Sequence, residues 1–423
     1  MKKIIGLFIC MLVLFTVSCE KGNDGTAEVP TGKPGSGTGT DPSTPEEDVI
    51  PPSIADSSFY YYNKAYLLTN DGAGHTELSK DGYTYYRDRL KDNKGWAYFW
   101  NQALVIFMVE DRYDCRGDES VKPLIVKLLD AFSEHEKLPG TTVGDYSDWS
   151  WNDYQDDLLW AGLAYIRGYL ITGEQRFLDQ AKWDWNFLYS RGYSDDLGGG
   201  LWWSTDNNHK SGLSNNPAIT MAAYLYKATG NELYLKQAEG LYNWVYTVLR
   251  KDDGAVDENV DKTGKLTGSY NVYNVGAFIE ACHAMYLVTE DPKYIESAHK
   301  SIEYVMINKV NDQGICSKWH RDGTWQSEFA RGMGLFVKHH NLWNYKGLFT
   351  KSKRQITYYD WMRMNADAAW NMRNRTYNIT CCDWERRTPM TPDEKTTWTA
   401  HETVSATIMT QVTPDKNPLS ADK

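Results

Sequence analysis

The chain has 423 residues, 41% of them apolar, enough for a sizeable core. Its 45 Lys plus Arg stand against 56 Asp plus Glu, a formal charge of −11 that argues against nucleic acid or an anionic membrane surface as the main partner. Its 17 Trp and 29 Tyr exceed what such a core needs; flat rings that stack on pyranose faces are one use for the excess, and a large aromatic helical core is the other.

From the start of the chain, Met1, Lys2 and Lys3 precede an apolar run over residues 4–17, followed by Ser18 and Cys19. A basic segment, a short apolar segment and a small residue in that order predict a signal peptide over residues 1–19, too short for a permanent membrane span. Its ending, "FTVSC", resembles a bacterial lipobox with Thr16 where Leu is usual, and the resemblance implies lipidation at Cys19. The mature protein is then expected outside the cytoplasm, anchored by acyl chains to a bacterial outer membrane on its surface or periplasmic face; plain secretion is the alternative. Residues 20–55, rich in Gly, Pro, Ser and Thr, cannot bury enough apolar surface to fold and predict a disordered linker. Beyond it, Cys115, Cys282, Cys316, Cys381 and Cys382 show neither disulfide nor zinc spacing, and read as buried thiols with room for one bridge.

Residues 56–412 predict one helical domain and residues 413–423 a polar tail. Helices are expected over 96–109 and 121–132, then in three units that share a layout. "LITGEQRFLDQA", "KATGNELYLKQA" and "LVTEDPKYIESA" set Thr172, Thr229 and Thr289 at one position and Ala181, Ala238 and Ala298 at another, with a period of about sixty residues. In each unit an apolar helix ends at the Thr turn and an amphipathic helix follows. The first kind, such as 158–169 and 277–285, is apolar on nearly every face and so belongs inside; the second, such as 177–189, carries a polar face and lies outside. Further pairs are expected at 329–342 with 356–372, and at 402–411 with an early segment, either 59–68 or 83–90. Six inner and six outer helices make an all-α fold, an (α/α)6 barrel. Short strands are expected near 201–203 and 314–319.

Counting back equally from each turn Thr reaches Asp157, Ser214 and Asn274, with Asn215 and Asn216 beside Ser214. These positions, joined by Trp149, Trp151, Tyr154, Trp202, Trp203, Tyr270, Tyr273 and Trp319, predict a polar floor with an aromatic wall, which suits a carbohydrate cleft. The adjacent Asp156 and Asp157 could cap their helix, as could Asp153. At the head of an inner helix, however, two neighbouring carboxylates would repel each other and resist desolvation, a cost that capping does not require. Glycoside hydrolysis does require it: one carboxyl stays ionised while the other holds a proton. Side chains on consecutive residues start close together, which favours the short separation used by retaining enzymes.

The stretches "YQDDLLWAGLAYIRGYLITGEQRFLDQA", "GGGLWWSTDNNHKSGLSNNPAI", "YNVYNVGAFIEACHAMYLVTEDPKYIESA", "NYKGLF" and "NADAAW", in that order, resemble glycoside hydrolase family 76, the α-1,6-mannanases and their cell-wall relatives. The resemblance implies an (α/α)6 barrel, no metal or cofactor, Asp156 as nucleophile and Asp157 as general acid/base. It also implies substrate contacts at Lys210, Asn215, Asn216, Tyr273, Asn274, Gly276, Lys346 and Gly347, beside Trp202 and Trp203 of the aromatic wall. Departures at Ser211, Val275 and Lys351 touch subsite preference and leave the reaction centre intact.

Together these features predict a monomeric, endo-acting retaining glycosidase acting on α-1,6-linked mannan or manno-oligosaccharides. The alternatives are a non-catalytic glycan-binding protein on the same barrel, or another (α/α)6 enzyme such as a sugar 2-epimerase or glucuronyl hydrolase. The histidines, His209, His283, His320, His339, His340 and His401, lack zinc spacing, and no phosphate-binding or nucleophile-elbow motif occurs. Asp195, Asp196, Asp252 and Asp253 read as solvated turn residues. Glu328 opens an inner helix as either a cap or an accessory cleft carboxylate.

Overall fold

Helices buried on nearly every face must be covered on every side, and among the described residues six such helices are ringed by six amphipathic ones. The computed structural model describes residues 53–74, 76–90, 95–138, 146–267, 271–316, 326–346, 348–349, 352–391 and 398–420. All fall within one compact unit, residues 50–423. The helices are α1 (Ile54–Tyr66), α2 (Phe99–Arg116), α3 (Lys122–Glu136), α4 (Gln155–Thr172), α5 (Gln175–Gly192), α6 (Gly212–Thr229), α7 (Glu232–Val248), α8 (Val272–Thr289), α9 (Pro292–Asn308), α10 (Gln326–His339), α11 (Tyr358–Asn371) and α12 (Ala400–Val412).

The even-numbered helices form a closed inner ring in which α12 returns to α2, and the odd-numbered helices cover it, so the fold is an (α/α)6 barrel. The outer partner of α12 is α1, the earlier of the two candidate segments. Across this seam the Tyr62 hydroxyl donates to the Ala400 carbonyl at 2.7 Å, and Gln411 Nε2 to the Ala55 carbonyl at 2.9 Å.

The repeated threonine has a local cause. Thr172, Thr229 and Thr289 each donate Oγ1–H to the carbonyl four residues back, at 2.7 Å in all three. Each Oγ1 then accepts the backbone N–H two residues on, from Glu174, Asn231 and Asp291 at 3.3, 3.2 and 3.3 Å. Between them sits a left-handed residue, Gly173, Gly230 or Glu290 (φ 76, 68 and 57°), so one hydroxyl ends the inner helix and starts the outer one. Ala181, Ala238 and Ala298, all 0% exposed, are small where each outer helix meets its inner partner.

Because every inner helix runs the same way, their N-terminal heads share one mouth of the barrel. Below the heads the ring holds charge that an apolar reading misses. Arg167 meets Asp111 at 2.7 Å and Asp114 at 2.9 Å, and Arg331 meets Glu280 at 2.9 Å, all inside the ring or at its base. Arg331 also stacks over Phe107 at 4.4 Å.

Several expectations change. Helix α1 already begins at Ile54, capped by the Ser53 hydroxyl that accepts the Asp56 N–H, so residues 53–55 belong to the helical domain and not to the expected linker. Helix α2 starts at Phe99 and α10 ends at His339. Residues 201–203 form no strand; Leu201 makes only an isolated bridge to Tyr193. The strands are β1 (Leu67–Thr69), β2 (Glu77–Leu78), β3 (Tyr85–Tyr86), β4 (His209–Ser211), β5 (Asn259–Asp261), β6 (Leu266–Thr267), β7 (Leu348–Phe349) and β8 (Gln355–Ile356), and β4–β5–β6 is an antiparallel sheet at the head of α6. The start of the tail is fixed: Thr413 is buried and Asp415 pairs with Arg116 at 3.2 Å. Cys115 is a part-buried thiol, Cys282, Cys316, Cys381 and Cys382 are buried thiols, and none of the five is bridged. The signal peptide, Cys19, most of the linker and the 317–319 part of the second expected strand lie outside the described residues.

Candidate active site

The head of α4 is built before its aspartates are placed. Its first backbone donor, the Gln155 N–H, is satisfied by the Trp203 carbonyl at 2.8 Å, and the Trp203 N–H donates to the His209 carbonyl at 2.9 Å. The loop before α4 is an Asx turn: Asn152 Oδ1 accepts the Tyr154 N–H at 2.9 Å. Arg191 of α5 clamps that loop from behind, donating to the Asn152 carbonyl at 2.8 Å and to Gln155 Oε1 at 2.7 Å.

On this frame the two carboxylates receive different partners. Asp156 Oδ2 accepts the Trp203 indole N–H at 2.8 Å, and its Oδ1 accepts the Asp157 backbone N–H at 3.1 Å. Asp157 Oδ2 accepts one bond, from Asn152 Nδ2 at 3.0 Å. No aspartate side chain caps α4, whose N-cap is Tyr154, so capping does not account for the pair. Burial pushes Asp156 up to about 6 against the Trp203 hydrogen bond. Burial first and the Asp156 charge second push Asp157 up to about 7 against the Asn152 bond. Desolvation, more than mutual repulsion, thus keeps a proton on the pair near neutral pH, and Asp157 is its better holder.

Around the pair stand exposed rings and a third carboxylate. Tyr98 and Tyr154 are 52% and 40% exposed. Trp203 stacks on His209 at 4.7 Å and leans on Tyr154 at the same distance. The Tyr273 hydroxyl donates to Glu258 Oε1, and Asn271 Nδ2 donates to Glu258 Oε2 at 3.1 Å. Burial and then Glu258 raise the Tyr273 hydroxyl, with the Asp156 charge adding to the rise.

Asp156, Asp157, Trp203 and Tyr273 therefore meet at one mouth. The other expected contacts do not. Lys210 is 0% exposed, and its Nζ bonds the carbonyls of Ser194, Asp196 and Gly199 at 2.9, 2.7 and 2.6 Å, so it builds the loop before Trp203. Trp202, 6% exposed, lies under that ammonium at 4.8 Å. Asn215 clamps both backbone groups of Leu201, at 2.8 and 3.1 Å. Ser214, Asn216 and Asn274 are all 0% exposed and form a closed polar layer instead of a cleft floor. Gly276 serves packing, since a Cβ there would lie 2.3 Å from the Phe329 nitrogen of α10. Lys346 follows the C-terminal end of α10, about 20 Å of helix away from the mouth. Gly347, Tyr270 and Trp319 lie outside the described residues. Trp149 is 0% exposed in an aromatic core with Phe99, Phe132 and Tyr165. Glu328 is buried beside Ser327, whose hydroxyl donates to it at 2.9 Å.

Sequence reasoning missed Asn152, Arg191, Tyr98 and Glu258. The Asn-Asp turn ahead of an acidic helix head was a usable signal for Asn152. Glu258 lies in a loop with no periodicity to mark it. Among the described residues, no three His, Cys, Asp or Glu side chains gather as metal ligands.

Comparison with known proteins follows the same lines. Mannan endo-1,6-alpha-mannosidase DFG5 of Candida albicans is 24% identical over 269 residues, 56% of this chain and 58% of that protein. The DFG5 protein of Saccharomyces cerevisiae is 28% identical over 273 residues, covering 56% and 57%. The chain thus spans less than two thirds of the length of these relatives. Among solved structures, an inactive variant of the α-1,6-mannanase GH76A of Salegentibacter sp. HEL1_6, with two consecutive aspartates changed to asparagine and α-1,6-mannotriose bound, superposes with a TM-score of 0.68 at 22% identity, covering 85% of this chain and 97% of that one. The family 76 mannosidase Bt3792 of Bacteroides thetaiotaomicron superposes with a TM-score of 0.67 at 21% identity, covering 85% and 97%. The match to the family model runs over residues 57–422, from the first outer helix past the last inner one, and the chain belongs to glycosyl hydrolase family 76.

Proposed function

We propose that the protein hydrolyses α-1,6-mannosidic linkages within mannan chains by double displacement. The observation that carries this reading is the unequal treatment of two adjacent carboxyls: among the described residues Asp156 accepts two N–H donors, while Asp157 accepts one and is raised further. In the first step an Asp156 oxygen bonds to the anomeric carbon, the glycosidic C–O bond breaks, and the Asp157 proton passes to the departing oxygen. In the second, Asp157 takes a proton from water, the water oxygen bonds to the anomeric carbon, and the bond to Asp156 breaks. Two inversions return the original configuration. Tyr98, Tyr154 and Trp203 supply ring faces for the sugar, and Glu258, held by Tyr273 and Asn271, supplies acceptors for its hydroxyls. The names of the fungal relatives and of the neighbour solved with α-1,6-mannotriose support the substrate.

The test is incubation with linear α-1,6-mannan and sized manno-oligosaccharides, the first product being followed by proton NMR. Release of α-anomeric mannosides is the expected result; β-anomeric first products would remove Asp156 as nucleophile, and no products from any α-mannan would favour a glycan-binding role. Cys19 is the anchor in this reading: metabolic labelling with a clickable fatty acid should mark the wild-type protein and leave Cys19→Ala unlabelled. A monomer is expected in sedimentation.

A further inference from the structure

On the outer wall of the barrel, a groove of about 270 Å³ runs between α7 and α9, outside the inner ring. Its floor is Tyr242, whose ring stacks on Phe278 of α8 at 5.8 Å and whose hydroxyl donates to Ser297 at 2.9 Å. One wall is Tyr246, 44% exposed, with the Arg250 guanidinium over its ring at 4.8 Å. The other wall carries Lys293 and Lys300 of α9, with Glu296 the one acidic lining residue.

Three cations converge here on a chain whose formal charge is −11. Lys293 is partly answered by Asp291 at 3.0 Å. Arg250 and Lys300 have no carboxylate partner among the described residues, and Arg250 Nε is buried without an acceptor. A guanidinium and a flexible ammonium that line the groove with no carboxylate answering them call for an oxyanion, and an exposed tyrosine face beside them calls for a flat apolar surface. The groove is slightly smaller than the roughly 300 Å³ low end of small-molecule sites, which fits one ring and not an oligosaccharide.

We propose that the α7–α9 groove, on the outer wall and lined by none of the residues of the aspartate site, is a second binding site for a phosphorylated hexose. Arg250 and Lys300 take the phosphate, and Tyr246 takes the sugar face. The identity of the hexose rests on the mannan reading; the anion does not.

The test is titration of the protein with mannose 6-phosphate, mannose and inorganic phosphate by calorimetry and ligand-observed NMR. Mannose 6-phosphate should bind, with mannose and inorganic phosphate each weaker by about tenfold or more. Lys300→Glu, an exposed change that leaves the fold alone, and Arg250→Gln should each weaken mannose 6-phosphate binding by about tenfold or more while hydrolysis of unsubstituted α-1,6-mannan stays at the wild-type rate. No binding of mannose 6-phosphate, binding indifferent to Lys300→Glu, or equal binding of inorganic phosphate each overturns the site. Failure to cleave mannan, with mannose 6-phosphate binding that Lys300→Glu removes, would overturn the hydrolase reading and leave the site standing.

Discussion

Carboxylates enter the inner ring at two levels, and the two are treated differently. In the lower level Asp111, Asp114 and Glu280 face the guanidinium groups of Arg167 and Arg331 at 2.7 to 2.9 Å. At the head of α4, the donors that Asp156 and Asp157 meet among the described residues are neutral: an indole, an amide and a backbone N–H. Burial raises Asp111 as well, with Arg167 and then Arg331 opposing it. A carboxylate fixed by a cation is committed to structure, whereas one held by neutral donors can gain or lose its proton as a reaction demands. The lower level explains how inner helices that read as apolar carry charge, and the upper level explains why Asp156 and Asp157 stand where no cap is needed.

The sharpest way to break this contrast is Asp156→Asn. If the upper pair is chemical, mannan cleavage should fall by at least about ten-thousand-fold while the melting temperature holds or rises. Next comes Arg331→Met in the lower level. Removing the partner of Glu280 leaves a buried charge unanswered, so denaturant unfolding should show a loss of about 3–5 kcal/mol, with kcat of the folded fraction little changed. The reverse result, a silent Arg331→Met and a destabilised Asp156→Asn, would collapse the distinction.

A third test uses pH. Asp157 is raised from 3.8 to about 7 on folding, so its contribution to stability is present below its unfolded value and is lost as pH rises through the folded one. Relative to Asp157→Asn, the wild type should therefore lose on the order of 2–4 kcal/mol between about pH 4 and pH 7, read from urea midpoints at each pH. A flat difference would mean that the pair is not desolvated. The smallest effect belongs to Trp203→Phe, which deletes the indole donor to Asp156. The kcat/KM value should drop by about tenfold and its acidic limb should move to higher pH, because the anion of Asp156 has lost a donor.

Much of this was legible in the chain, for reasons that differ by residue. The Thr172, Thr229 and Thr289 spacing revealed the barrel because one hydroxyl performs two local hydrogen bonds at each turn, and local chemistry leaves a periodic trace. The aspartate pair was visible because charge at the head of an apolar helix is a contradiction that needs a cause. Lys210 and Asn215 misled because a polar residue near an expected cleft reads the same whether it faces the ligand or bonds the loop behind it. The distinction depends on which carbonyls the loop 194–201 leaves free, and that is set by tertiary folding. Asn274 failed for a related reason: equal counting places residues at one level but not on one side of a helix wall. Glu258 reaches the mouth only because β4 and β5 pair in the observed register, with Ser211 opposite Asn259.

The seam between α1 and α12 has a consequence for biogenesis. Tyr62 with Ala400 and Gln411 with Ala55 join positions 338 and 356 residues apart, whereas the other neighbours in the inner ring are separated in sequence by only one outer helix and its loops. The ring therefore cannot close on a nascent chain until residue 412 has been made, and until then α1 lacks the helix it covers. Nascent chains stalled short of α12 should engage chaperones and be cut readily by protease near Tyr62, and release past residue 412 should abolish both.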